Sequence, residues 1–144
     1  MEKIQNISSN ATYIVRNPVL RPEQPIESCI FEGDDLETTS HFGLFINDEL
    51  IGVVSVFKNN SSIFNVENQF QIRGMALLQQ HQKKGYGTLL VKHCERFIIS
   101  QKSNLIWFNA RKNAVPFYEK LGYKVTSSEF VEVTIPHYIM EKKL

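Results

Sequence analysis

One segment, residues 70–97, constrains the fold more than any other part of the chain. It reads FQIRGMALLQQHQKKGYGTLLVKHCERF. An extended apolar run, Phe70–Leu78, leads into a polar loop, Gln79–Lys84, and a helical pattern begins at Gly85-Tyr86-Gly87. The first turn of a helix has backbone N–H groups without helical partners, and these donors and the helix dipole favour anions, above all phosphate. The segment therefore predicts a phosphate-bearing ligand, unless the two glycines serve only to start a helix.

Composition predicts a globular protein with no general attraction for polyanions. The 144 residues suit one domain, here taken as residues 1–144, with a substantial core. The 16 Lys and Arg residues against 15 Asp and Glu give a net charge of +1, which argues against nucleic acid or an anionic membrane as a partner. The longest apolar run, Leu50–Phe57, is far shorter than a membrane span.

Cysteine usage and the N-terminal sequence predict a cytoplasmic protein without a metal. Cys29 and Cys94 are isolated, with no CxxC pair and no His at ligand spacing, so free thiols are expected rather than a disulfide or metal site. The opening residues MEKIQNISSN contain no apolar core of a signal peptide.

Hydrophobic periodicity predicts an α/β domain with the order β-α-β-β-β-α-β-α-β-β around a mixed sheet. Strands are expected at residues 3–7, 41–46, 50–57, 70–78, 105–108, 123–126 and 138–143. A first helix is expected from a cap at Ser8 or Ser9, and Pro18 ends or bends it. Further helices are expected over residues 85–102 and from a cap at Asn113 to a stop at Gly122. Asn47-Asp48-Glu49 predicts a hairpin turn.

The glycine loop fits neither common nucleotide motif. A dinucleotide fingerprint needs a third glycine where Leu90 stands, and a Walker A loop needs Gly-Lys-Ser/Thr where the chain has Lys84-Gly85-Tyr86.

Two motifs together resemble the GCN5-related N-acetyltransferase (GNAT) superfamily. The first is Gln82-x-x-Gly85-x-Gly87, similar to the family's acyl-CoA loop. The second, about thirty residues on, is NAVPFYEKLGY at residues 113–123, similar to a later family helix. Residues 19–22, 33–35 and 136–144 also resemble small bacterial members, so the resemblance covers nearly the whole chain. It implies a mostly antiparallel mixed sheet of six to seven strands with about four helices.

The resemblance implies acetyl-CoA as co-substrate and assigns residues to it. The pyrophosphate would lie on Gln82, Lys83, Lys84, Gly85, Tyr86, Gly87 and Thr88, and the pantetheine and acetyl end on Met75, Ala76 and Leu77. Further cofactor contacts are assigned to Asn109, Asn113 and Phe117. Arg111 stands where many members have a cofactor-binding Asn, and it is an alternative phosphate contact.

Tyr118 stands at the family's general-acid position, where it would donate to the departing CoA thiolate; a purely structural core residue is the alternative. The general base stays open between His41, His137 and a water chain that includes Asn109. Gln71 and Arg73 share a strand face that lines the expected acceptor pocket.

The function implied is acetyl transfer from acetyl-CoA to an amine; a non-catalytic acyl-CoA-binding or regulatory module is the alternative. A monomer or homodimer is expected. The acceptor is not specified. Arg16, Arg21 and Arg73 suggest a carboxylate on the acceptor, with surface ion pairs as the competing interpretation. The acidic residues Glu32, Asp34, Asp35 and Glu37 suggest a cationic amine or, alternatively, a solvated loop.

Overall fold

Eight strands and three α-helices form the computed structural model, which describes residues 1–144. The strands are β1 Glu2–Asn6, β2 Ser40–Ile46, β3 Glu49–Lys58, β4 Gln69–Leu77, β5 Leu105–Arg111, β6 Lys124–Val125, β7 Phe130–Glu132 and β8 Ile135–Lys143. The helices are α1 Ser9–Leu20, α2 Tyr86–Ser100 and α3 Val115–Lys120, with 3₁₀ turns at Ile26–Cys29, Gln79–His81 and Lys112–Ala114.

The sheet order is β1-β2-β3-β4-β5-β8-β6, with β7 paired to β8. β4 and β5 run parallel, whereas the pairs β1–β2, β2–β3, β5–β8, β6–β8 and β7–β8 are antiparallel. The predicted α/β class and mostly antiparallel mixed sheet are thus confirmed, with one strand more and one helix fewer than the family resemblance implied.

Two local predictions were wrong. β7 was missed because its three residues are too few to show a periodic pattern. Asn113 does not cap α3: it lies in a 3₁₀ turn, and the helix starts after Ala114 without a side-chain cap. Of the two effects predicted for Pro18, it does not end α1, which continues to Leu20. Asn17 secures this helix end, because its side chain donates to the carbonyl oxygens of Arg21 and Gln24, at 3.0 and 3.1 Å.

Contacts divide the chain into two compact units, and the single domain stays a prediction. The first unit comprises Met1–Phe57 and Ile72–Arg96. Its core includes Val15, Val53 and Ala76, which have at most 3% of their surface exposed. The predicted β2–β3 hairpin turns at Asn47 and Asp48, whose φ angles of 49° and 69° are typical of a two-residue type I′ turn.

A buried ion pair links α1 to the acidic loop in this unit. Arg16 is fully buried and donates to both carboxylate oxygens of Asp34, at 2.8 and 3.1 Å. It also donates to the carbonyl oxygen of Cys29 at 2.8 Å and to Ser55 Oγ at 3.0 Å. The interpretations of Arg16 as a surface residue and of Asp34 as part of a solvated loop were therefore wrong. Thr12, Val15 and Arg16 form the buried face of α1.

The second unit comprises Lys58–Gln71 and Phe97–Leu144. The side chain of Gln69 holds its long loop: Oε1 accepts from the Ser61 amide at 2.7 Å, and Nε2 donates to carbonyl oxygens that include that of Val66 at 2.8 Å. Phe108 packs on Tyr118 and Tyr123, with ring centroids 4.4 and 5.1 Å apart. This aromatic cluster fixes α3 and the following Gly122 turn on β5.

Replacing Asp34 by Asn is expected to lower the free energy of unfolding by about 3–5 kcal/mol, because it leaves the buried Arg16 guanidinium without its compensating charge. Urea unfolding measures this change. Glu37→Gln, an exposed carboxamide substitution in the same loop, is the control and should stay within about 0.5 kcal/mol of the parent. A loss of less than about 1 kcal/mol for Asp34→Asn would contradict a structural role of the pair.

Candidate active site

The loop between β4 and α2 has the backbone shape of an anion site. Lys83 and Gly85 both have positive φ angles, 62° and 88°. Gln82 folds the loop back, because its Nε2 donates to the carbonyl oxygen of Leu77 at 2.8 Å. A Cβ atom at Gly85 would meet no atom within 4 Å, so the space in front of this residue is open. Alternating left-handed residues of this kind turn successive N–H groups to one side and form an anion-binding nest.

The amides of this loop are unpaired within the protein. The N–H groups of residues 83–88 donate to no backbone or side-chain acceptor, and the first amide with a helical bond is that of Leu89, to Gly85 O at 3.4 Å. The side chains of Lys83 and Lys84 are exposed beside them. Six consecutive free donors, two lysines and a helix N-terminus together form a site that can hold a dianionic or more highly charged group.

The strand before the loop is irregular at Gly74, which has a φ of 65°. The next residues, Met75, Ala76 and Leu77, alternate in burial: Ala76 joins the core with 3% exposure, and the other two are half-buried. Met75 and Leu77 thus lie on the less buried face of β4, opposite Ala76.

Tyr118 lies in the aromatic cluster of the second unit. Its side chain has 9% of its surface exposed and packs on Phe108 and, at 5.0 Å between ring centroids, on Phe117. The carbonyl oxygen of Tyr118 accepts from the Tyr123 amide at 3.1 Å, which closes α3 at Gly122 as predicted. Tyr118 is therefore largely a core residue.

The other cofactor candidates lie along β5 and the turn after it. Asn109 is half-buried on β5, and its amide donates to Glu132 Oε2 at 3.1 Å. Arg111 ends β5 opposite His137 on β8. Asn113 is exposed in the 3₁₀ turn that precedes α3. Asn113 therefore has the more accessible side chain of the two asparagines, since Asn109 is half-buried and its amide is bound to a carboxylate.

The two candidate bases differ in their hydrogen bonds. His41 is buried, with Nε2 at 2.8 Å from the carbonyl oxygen of Asp34 and Nδ1 at 2.6 Å from Ser55 Oγ. Since a carbonyl only accepts, Nε2 carries the proton and Nδ1 accepts from the Ser55 hydroxyl. His41 therefore has no lone pair left for a substrate proton. In His137, Nδ1 donates to the carbonyl oxygen of Ile135 at 2.7 Å, and the lone pair is on Nε2, which has no partner in the protein.

Gln71 and Arg73 have separate surroundings. The Gln71 side chain is buried, and its Oε1 accepts from Asn59 Nδ2 at 2.9 Å. Arg73 is half-buried, with its guanidinium carbon 4.7 Å from the ring centroid of Phe31. The Gln71 side chain thus contacts the loop of the second unit. Arg73 remains a candidate residue of the acceptor pocket.

Neither cysteine is a nucleophile. Cys29 and Cys94 are free thiols with no exposed surface, and burial, with a smaller contribution from the Glu95 carboxylate, raises the pKa of Cys94 well above its usual range. No cluster of three or more metal-ligating side chains occurs, and no α-helix is long and apolar enough to cross a membrane.

Comparisons with known proteins show the family and the fold of this chain. The sequence profile of the Acetyltransferase (GNAT) domain matches residues 26–144. The uncharacterised N-acetyltransferase YitI of Bacillus subtilis is 32% identical over an alignment that covers all of this chain and 97% of YitI. The fold is similar to that of a proposed N-acetyltransferase from Lactobacillus plantarum, with a TM-score of 0.81, 20% identity and coverage of 99% and 98% of the two chains.

A GNAT-family acetyltransferase from Elizabethkingia anophelis, whose structure was determined with acetyl-CoA bound, has a TM-score of 0.73 and 13% identity, with coverage of 99% and 98% of the two chains. The match to the GNAT profile over most of the chain and the full-length likeness to YitI establish the family. The chain belongs to the GCN5-related N-acetyltransferase superfamily.

Proposed function

We propose that this protein transfers an acetyl group from acetyl-CoA to an amine acceptor. The observation that carries the proposal is the row of six unpaired amides at residues 83–88 beside Lys83 and Lys84. Coenzyme A carries a pyrophosphate that needs such donors. A solved family member with a similar fold holds acetyl-CoA, which supports the same co-substrate here.

The proposed binding mode follows the order of the chain. The pyrophosphate lies on the amides of residues 83–88, and the pantetheine and acetyl end extend along the backbone of Met75–Leu77. Gly85 is needed for its positive φ and for the open space in front of it. An amide of β4 directed at the thioester oxygen also stabilises the negative charge that develops there during attack. Asn109, Asn113 and Phe117 are further proposed contacts.

The proposed reaction is a direct attack. The acceptor nitrogen forms a bond with the acetyl carbon, the carbon–sulfur bond breaks, its electron pair goes to sulfur, and the nitrogen loses one proton to a base. Tyr118 donates a hydrogen bond to the departing thiolate. Complete proton transfer from a phenol of pKa about 10 to a thiolate of pKa about 8.5 costs about 2 kcal/mol, so hydrogen-bond stabilisation is the larger part of this role.

His137 is the proposed proton acceptor, because its Nε2 keeps a lone pair without a partner in the protein. A water chain is the competing route. His41 is excluded from this role by its two internal hydrogen bonds, to Ser55 and Asp34. The imidazole of His137 is held in one tautomer by Ile135 O, which suits a group that must accept a proton at a defined atom.

A non-catalytic acyl-CoA-binding module is the second candidate. The free amides of the loop serve both functions equally. Tyr118 favours the enzyme, since a binding module has no need of a phenol at the family's general-acid position. Thiol release in the presence of an amine distinguishes the two, and the buried thiols of Cys29 and Cys94 leave such an assay free of background from the folded protein.

Replacing Gly85 by Val is expected to raise the Kd for acetyl-CoA at least about tenfold, because the side chain strains a residue with φ of 88° and occupies the space in front of the amides. Isothermal titration calorimetry measures this change. Gln80→Ala, in the exposed 3₁₀ turn before the loop, is the control with unchanged affinity. Acetyl-CoA at 100 times Kd should stabilise the parent by about 2.7 kcal/mol. Absence of that stabilisation would refute both candidate functions.

Replacing Tyr118 by Phe is expected to lower kcat by about a factor of 100 while the Kd for acetyl-CoA changes little, since the change removes only the hydroxyl proposed to donate to the leaving thiolate. Steady-state thiol release and calorimetry separate the two effects. Tyr138→Phe removes a hydroxyl that donates to Glu129 Oε1, and it is the control within the same unit. An unchanged kcat for Tyr118→Phe would remove Tyr118 from the mechanism.

Replacing His137 by Gln is expected to lower kcat/KM by about 100-fold, because the glutamine side chain accepts a hydrogen bond but not a proton. His93→Gln, a substitution of a half-buried histidine on α2, is the matched control and should keep the parent's kcat/KM. A His137→Gln variant with unchanged kcat/KM would assign the proton to the water chain instead.

A further inference from the structure

Three guanidinium groups pack near the half-exposed ring of Phe31 in the first unit. The guanidinium carbons of Arg16, Arg73 and Arg21 lie 3.9, 4.7 and 5.4 Å from the ring centroid of Phe31. All three distances are within the range of a cation–π contact. The amide of Phe31 donates to Asp34 Oδ2 at 2.8 Å, so the buried carboxylate also fixes the position of the ring. We call Arg21, Phe31 and Arg73 the arginine platform.

Asp34 forms an ion pair with only one of the three guanidinium groups, that of Arg16. The Asp34 carboxylate is engaged by Arg16, which is fully buried and not available to a ligand. Arg21 is half-exposed, and the one hydrogen bond of its side chain goes to the carbonyl oxygen of Ser28 at 2.6 Å. No carboxylate lies within 4.0 Å of Arg21. Its charge and most of its five donors therefore remain for an external anion.

The arginine platform lies against the strand proposed to hold the acetyl group. A Cβ atom added to Gly74 would be 3.0 Å from Cε2 of Phe31, so the ring packs directly on this glycine. Met75, the first residue of the proposed thioester segment, follows at once in the chain. The guanidinium carbons of Arg21 and Arg73 lie within about 10 Å of each other, since both lie on the same ring.

Guanidinium groups of this kind select a planar anion. An arginine forms paired hydrogen bonds with a carboxylate, and an aromatic face beneath the guanidinium leaves its edge donors free for them. In an α-amino acid the amine is two bonds from the carboxyl carbon, so both ends of such a molecule fit beside one short stretch of strand. We infer that the acceptor amine carries a carboxylate, and that Arg21, supported by Phe31 and Arg73, binds it. This inference rests on the proposed function.

The test uses matched acceptor pairs with the full chain. Thiol release from acetyl-CoA is measured with the twenty amino acids and their carboxamides, together with ω-amino acids of increasing length and their carboxamides. We expect the best acid to exceed its amide at least about tenfold in kcat/KM, as expected for the loss of a charged hydrogen bond. Equal rates for acid and amide, or thiol release only with amines that lack a carboxylate, would overturn the inference.

Variants assign the effect to Arg21. Arg21→Met should remove the preference for the acid by lowering its kcat/KM at least about tenfold while the amide keeps its rate. Arg21→Lys should recover part of it, because charge returns without the paired donors. Arg96→Met, an exposed arginine on α2, is the control with the parent's preference. Arg21→Met that retains the preference would overturn the assignment.

Calorimetry with acetyl-CoA separates the inference from the proposed function. Parent and Arg21→Met should bind acetyl-CoA with equal Kd. Failure of the parent to bind acetyl-CoA would refute the proposed function. Normal binding by the parent without thiol release on any carboxylate acceptor of the panel would overturn only the inference. A loss of acetyl-CoA affinity in Arg21→Met would place Arg21 with the co-substrate and likewise overturn it.

Discussion

The buried ion pair of Arg16 and Asp34 is the interaction on which the first unit depends. Removing two charges from water costs several kcal/mol per ion, and only close geometry with further hydrogen bonds offsets that cost. Here the guanidinium contacts both carboxylate oxygens, Cys29 O and Ser55 Oγ, and Asp34 Oδ2 also accepts from the Phe31 amide. The pair thereby holds the acidic loop on α1 and β3 and sets the ring that carries Arg21 and Arg73.

The loop at residues 83–88 contrasts with this ion pair, because its backbone N–H groups have no hydrogen-bond partners within the protein. The six amides have no acceptor within the protein, and Lys83 adopts a left-handed conformation that costs a residue with a side chain about 1–2 kcal/mol. Lys83, Lys84 and Gly85 are exposed, so water has access to this part of the loop in the free protein. A pyrophosphate that replaces this water meets donors that are already oriented, which lowers the cost of binding.

In the proposed reaction no single side chain contributes most of the rate enhancement. A thioester is attacked directly once the amine is neutral and correctly placed, so most of the barrier reduction comes from position. On this proposal Tyr118 can be largely a core residue and still donate a hydrogen bond to the leaving thiolate. On the same proposal the acceptor is selected by groups that bind it, such as Arg21, rather than by groups that react with it.

The sequence by itself determined the family, the α/β class, the hairpin at Asn47-Asp48 and the glycine loop, because each depends on neighbours in the chain: periodicity, turn residues and motif spacing. Only the tertiary structure decided that Arg16 is buried with Asp34, 18 residues away, and that Ser55 and Asp34 use both nitrogens of His41. It likewise brought Arg21 and Arg73 onto one ring. The physical reason is that burial and charge pairing are set by contacts between distant segments, which no local pattern encodes.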